Sequence, residues 1–305
     1  MTTLLEQQSD APPRQRTPRS PSAWLVIPPL VVVLLAAVYP LIMVCLESTK
    51  VVDGGRGWAT WTTVLSSEAF RDAAWRTVAI AVTSTAGCLV LGTFLAVVLA
   101  FVPFPGSALV GRLIDTILAL PSFLITLALT FLYGTAGAVN AAMAELTGDG
   151  GPALNFLVTP AGVIAAEITF FTPFVVRPLL ASFSTLPRAQ LDVAASLGAS
   201  PVRVLRSIVM PEAWPALMAG GSLVLLLTLN EFGIVLFTGA KGVTTLPVLI
   251  YTRGIVTFDL PGAAVIATVQ IALSLVLYVL YRVIFARVMG NRGRGATDVV
   301  VDKAQ

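Results

Sequence analysis

Three polar residues stand where the chain is otherwise oily: Glu167 in "AGVIAAEITFF", and the neighbours Asn230 and Glu231 in "LLLTLNEFGIVLF". Arg177 follows Glu167 by ten positions, in "FFTPFVVRPLL". A charge near the centre of a bilayer costs about 2.5–3.5 kcal/mol on insertion scales, so each of these side chains must face protein or water. At about 1.5 Å of rise per residue, Glu167 and Arg177 lie about 15 Å apart along a straight helix, too far to pair with each other. Arg177 fits bundle or gate structure, contact with a solute, or a reach to the headgroups. Asn230 and Glu231 could hold a cationic group in passage, or bridge to a neighbouring helix or a second chain. Lys241 and Arg253 are placed to meet an anionic solute or an acidic patch on a docking receptor. Glu167, Arg177, Asn230, Glu231 and Lys241 are therefore the candidates for a translocation path or gate. Asp115, at the start of another apolar run, reads as a carboxylate at the positive end of a helix.

Hydrolytic chemistry has little to work with. The chain has no histidine, the commonest general base near neutral pH. Its two cysteines, Cys45 and Cys88, sit in separate apolar stretches, which argues against a disulfide framework or a zinc site. The 19 basic residues are scattered and the net charge is +3, so no basic stripe for nucleic acid is present.

The elements that must position these residues are membrane helices. Hydrophobic residues make up 56% of the chain and charged ones 11%, against about 25% charged in a soluble domain. Six runs near 23–46, 75–100, 113–135, 161–182, 213–237 and 263–284 are long enough to cross about 30 Å of hydrocarbon. Pro28, Pro29 and Pro40 are expected to bend the first run, and Pro173 and Pro178 to break the fourth. With the N-terminus inside, twelve basic residues fall in inside segments and six outside, with Arg177 within a helix. That bias predicts both termini in the cytoplasm. The expected organisation is a flexible tail over 1–22, a membrane domain over 23–288, and a second flexible tail over 289–305.

This topology puts "LDVAASLGASPVRVLRSIVMP", Leu191 to Pro211, on the cytoplasmic side, within a loop over 185–212. Pro187 can start a short helix, Gly198 can end it, Ser200 is a good N-cap, and Pro201 suits the first turn of a second helix. Ala194 and Gly198 share a face and leave a shallow dent, while Val202, Leu205 and Val209 line an apolar face away from Arg203 and Arg206. Such a unit could dock a cytoplasmic partner or pack on its own bundle.

Asp192, Val193 and Ala194 are followed by three residues, Gly198, nine residues beginning at Ala199, and then Ile208 with Met210 and Pro211. That spacing resembles the signature of permease subunits of binding-protein-dependent importers driven by ATP-binding cassette (ABC) proteins: Glu-Ala-Ala, three residues, Gly, nine residues, Ile-x-Leu-Pro. Aspartate replaces glutamate, valine the first alanine, and methionine the leucine. The resemblance implies an all-α, six-helix type I importer permease in a bacterial inner membrane. It also implies that Asp192, Val193, Ala194, Gly198, Ala199, Arg203, Ile208 and Pro211 couple the chain to an ATPase. No "GxxxxGK[ST]" phosphate loop occurs, so ATP and Mg belong to two partner ATPase subunits, and the chain itself is neither an enzyme nor a cofactor carrier. Further partners implied are a second permease chain, identical or homologous, an extracytoplasmic substrate-binding protein, and membrane lipid. Nucleic acid is not among them. The run from Asn230 to Leu249 is similar in texture to the permease branch for 2-aminoethylphosphonate, with the ferric iron, thiamine and polyamine branches nearby. An ion-coupled secondary transporter is the rival from another class. Glu167 could serve it as coupling carboxylate, but the internal repeat usual in such proteins is missing.

Overall fold

A computed structural model describes residues 26–51, 55–148, 156–240 and 242–302, with side chains described as far as Arg287. The first tail and Lys241 lie outside the described residues. The described chain is helical apart from one isolated bridge between Lys50 and Arg56. Six helical segments are long and apolar enough to span a membrane: Ile27–Glu47, Glu68–Phe101, Ser122–Thr147, Pro160–Ser184, Pro201–Leu229 and Leu260–Arg287.

In chain order the helices are α1 (Ile27–Glu47), α2 (Ala59–Ser66), α3 (Glu68–Phe101), α4 (Ser107–Ala119), α5 (Ser122–Tyr133), α6 (Ala138–Thr147), α7 (Pro160–Phe171), α8 (Pro173–Ser184), α9 (Arg188–Ser196), α10 (Pro201–Val204), α11 (Met210–Leu229), α12 (Gly233–Thr238), α13 (Leu246–Tyr251) and α14 (Leu260–Asp302). The last continues as backbone helix to Asp302, through the segment expected as a tail. Helix α1 buries none of its residues and packs on α14. Pro28 and Pro29 occupy its first turn, where a missing N–H costs nothing, and only Pro40 lies in the interior.

The centre of the bundle is α8, with α3 and α11 against it. Two glycines make that closeness possible. A Cβ on Gly92 of α3 would come within 2.8 Å of the Val175 Cβ, and one on Gly220 of α11 within 3.1 Å of the Phe174 carbonyl. Around them Val163, Ala166, Phe171, Val175, Val176, Leu179 and Val224 form the dry core. Burying a large aliphatic side chain is worth about 1.5–3 kcal/mol, so this layer fixes the helix that carries Arg177 and continues from Glu167.

Three spans differ from the sequence expectation. The third run does not cross as one helix over 113–135: Pro121 offers no N–H, and Leu120 before it takes an extended conformation (ψ 144°), so α4 ends and α5 begins. The fourth is not unwound. Thr172 keeps helical dihedrals (φ −52°, ψ −41°) and its hydroxyl donates to the Ile168 carbonyl at 2.6 Å, carrying the run through Pro173. The fifth begins earlier and stops earlier, at Pro201 and Leu229. Its first turns and the expected second loop helix are one continuous helix.

Candidate functional site

The loop between α8 and the fifth span folds by local rules. Pro187 precedes α9, which buries no residue. At its end Gly198 takes a left-handed conformation (φ +74°), and two paired hydrogen bonds close the helix: the Gly198 N–H donates to Ala195 O at 2.9 Å and the Ala199 N–H to Ala194 O at 3.0 Å. This is the Schellman arrangement, which glycine adopts without a Cβ penalty. Ser200 Oγ then accepts the Arg203 N–H at 3.4 Å, with Pro201 in the first turn of α10.

From α10 the helix runs on through one wide turn, Leu205–Val209, in which the Met210 N–H donates to Leu205 O, five residues back. Pro211 has no N–H to extend the ordinary ladder. Val209 is buried and Leu205 and Ile208 half-buried, but Val202 is 73% exposed, so the expected apolar face holds only at its inner end. Val193 and Leu197 are 59% and 83% exposed. Asp192, Arg203 and Arg206 are exposed and make no ion pair among the described residues. Beneath α9 lies a partly open cavity of about 460 Å³, lined by Phe101, Phe183, Leu186, Arg188 and Asp192 among others. Helix α9 thus rests on the bundle along one edge, through Leu191, with Leu186 packed just before it.

The second site is the break in the fifth span. Helix α11 ends at Leu229, and Asn230 and Glu231 lie in the connection to α12, not inside a helix as expected. Asn230 is exposed and returns its Nδ2 to Leu226 O at 2.8 Å. Glu231 is buried. Its Oε1 accepts the Ile234 N–H at 2.8 Å, starting α12, and the Ser122 hydroxyl at 3.0 Å, tying the break to the start of α5. Gln270 of α14 donates its Nε2 to the Leu229 carbonyl at 2.7 Å. Hence two distant elements, α5 and α14, hold one helix end, and Glu231 is a bridge within the chain.

Arg177 and Asp115 form an ion pair, and Arg177 Nη2 also donates to Gly111 O at 2.9 Å. Asp115 is therefore a link from the middle of α4 to α8 and not a helix-start carboxylate. Arg253 pairs with Asp259 at 3.3 Å, and Asp259 Oδ1 accepts the Gly262 N–H at the head of α14. Glu167 stands apart from all of these. It is 1% exposed, and neither carboxylate oxygen makes a hydrogen bond of ordinary geometry; the Ser84 hydroxyl, likewise without one, is the side chain nearest to serving it. Ser84 and Glu231 are the polar side chains within its electrostatic reach. No group of three His, Cys, Asp or Glu suited to a metal occurs among the described residues, and both cysteines are free.

Sequence reasoning missed Ser84, Ser122 and Gln270. The last was findable, as the only amide in its apolar run "AAVIATVQIALSLVLYVL"; the serines carry no such signal.

The model of the binding-protein-dependent transport system inner membrane component matches residues 88–290. The chain belongs to this family. It is a permease, a transport component and not an enzyme. Among curated relatives it is 48% identical over 267 residues to the "Putative 2-aminoethylphosphonate transport system permease protein PhnU" of Salmonella paratyphi A, covering 88% of this chain and 92% of the relative. It is 30% identical over 222 residues to the putrescine transport system permease protein PotI of Escherichia coli, covering 72% and 75%. Among solved structures, a bacterial ABC transporter involved in the import of the acidic polysaccharide alginate matches with a TM-score of 0.76 over 87% of this permease and 95% of that chain, at 17% identity. The shared fold is that of the type I importer permeases, and the family match replaces the secondary-transporter alternative.

Proposed function

We propose that this permease imports 2-aminoethylphosphonate or a related phosphonate into the cytoplasm by alternating access. The observation that carries the solute is the 48% identity to PhnU over nearly the whole of both chains, against 30% for the putrescine permease. An extracytoplasmic binding protein delivers the solute. Two permease chains, identical or homologous, enclose the route, and two ATPase subunits bind ATP and Mg. Both termini and the 185–212 loop face the cytoplasm in the inner membrane.

Asp192, Val193, Ala194, Gly198, Ala199 and Arg203 are the surface the ATPase grips, and Ile208 and Pro211 carry the motion into the fifth span. Exposed Val193, Leu197 and Val202, together with charges that make no ion pair among the described residues, support this reading, because a loop that served only its own bundle would bury the first and pair the second. Arg177 and Asp115 brace α4 on α8 near the inner gate, while Asn230, Glu231 and Lys241 border the route at the other end.

Uptake of labelled 2-aminoethylphosphonate in cells with and without this chain tests the solute. Uptake that depends on the chain and is competed by excess unlabelled phosphonate is the expected result. Uptake of ferric ion, thiamine or putrescine in its place would overturn it. Single cysteines introduced at 197 or 202 should label only from the cytoplasmic side of sealed vesicles.

A further inference from the structure

We propose that Glu167 and Ser84 form the station that receives the primary ammonium group of the passing solute, with Glu231 setting a negative field behind them. The assignment deepens the import reading above and rests on it for the solute's identity.

Glu167 on α7 is enclosed by the bundle at 1% exposure, yet both its oxygens lack a partner. Ser84 faces it from α3 at 0% exposure, its hydroxyl turned to the Glu167 carboxyl without a hydrogen bond of ordinary geometry. Structural carboxylates elsewhere in this bundle are committed: Glu231 to Ser122 and Ile234, Asp115 to Arg177, Asp259 to Arg253 and Gly262. Arg177, the cation on the same span, is therefore already engaged, and Glu167 has no counter-ion among the described residues. Buried polar groups are paired as a rule, and the exceptions call for a ligand or a function.

The chemistry of these two side chains is specific. Two carboxylate oxygens and one hydroxyl oxygen offer three acceptors, and a primary ammonium offers three donors. A quaternary ammonium has the charge without the donors. A metal ion would need more ligands than one carboxylate and a hydroxyl supply. Access requires α3 and α7 to part, because a Cβ at Gly87 would already collide with Ile168. The site is closed in this state and opens with the conformational cycle. In the closed state the carboxylate has no counter-ion among the described residues, so a solute amine that arrives there stabilises enclosure.

The test uses the purified permease–ATPase complex and intact cells. Ethylamine hydrochloride is expected to raise the Tm of the wild-type complex and tetramethylammonium chloride at equal ionic strength to leave it unchanged, and E167Q is expected to abolish the ethylamine shift. E167Q is expected to lower 2-aminoethylphosphonate uptake at least about tenfold, E167D less, and S84A to raise KM several-fold with assembly retained. An ethylamine shift that is absent in the wild type, or equal in E167Q, overturns the proposal, as does wild-type uptake by an assembled E167Q. If E167Q fails to assemble, S84A decides: unchanged KM overturns the site. If the wild type takes up no aminophosphonate, the solute reading falls alone, and the thermal shifts still decide the station.

Discussion

The α9–α10 loop and the break at 230–232 are both places where a polar segment interrupts an apolar chain, and they solve the problem in opposite ways. In the loop, the helix ends are completed within a few residues, by Gly198 and by Ser200, and Val193, Leu197 and Val202 point outward while Leu191 and Val209 pack on the bundle. At the break, the needs are met from far away, by Ser122 and Gln270, and Glu231 is spent on its own fold. A segment that completes itself locally leaves its side chains free for another protein. One completed by tertiary partners records how the bundle is closed.

If that contrast holds, changes at the break reduce stability first, and changes in the loop reduce coupling first. The largest effect is expected for Glu231→Ala, which leaves the Ser122 hydroxyl and the Ile234 N–H without their acceptor, at about 1–3 kcal/mol for each buried group; the readout is a lowered Tm and a poor yield from membranes. Gly198→Val comes next. A β-branched residue at φ +74° costs about 1–2 kcal/mol locally, and although a Cβ there meets open space, the helix end it deforms carries the proposed docking surface. Yield should be near normal, while uptake falls about tenfold and the ATPase no longer co-purifies. The double change Val193→Ser and Leu197→Ser should leave Tm unmoved, since both side chains lie in the open, and weaken co-purification several-fold. Ser200→Ala is the smallest: its 3.4 Å cap bond is long, so about 0.5 kcal/mol and less than a twofold loss of uptake are expected. A Gly198→Val protein that failed to insert, or a Glu231→Ala protein of normal stability, would break the comparison.

The same division explains what the sequence made legible. The loop could be read almost atom by atom, because Pro187, Gly198, Ser200 and Pro201 each act within one turn of themselves. The six spans were legible from length and apolar content, but their ends were not. Pro121 stopped the third where a hydropathy reading ran on, and Thr172 carried the fourth through a proline expected to break it. Pairings over long separations escaped entirely. Nothing in "GRLIDTILA" says that Asp115 meets Arg177, and nothing in "LPSFLIT" says that Ser122 meets Glu231. Those contacts depend on how the helices pack on one another, a property of the bundle and not of any one segment.

The wide turn at Leu205–Val209 has a mechanical consequence. Because it joins α10 to α11 without a gap, Pro201–Leu229 is a single rod of 29 residues, about 43 Å long at about 1.5 Å per residue. Tilting that rod by about 5° about its inner end swings the outer end, at Leu229, through an arc of about 4 Å. The hydrogen bond from Ser122 to Glu231 is 3.0 Å and that from Gln270 to Leu229 is 2.7 Å. Neither survives such a stroke unless α5 and α14 travel with the rod, so these two bonds decide which helices move together and which slide.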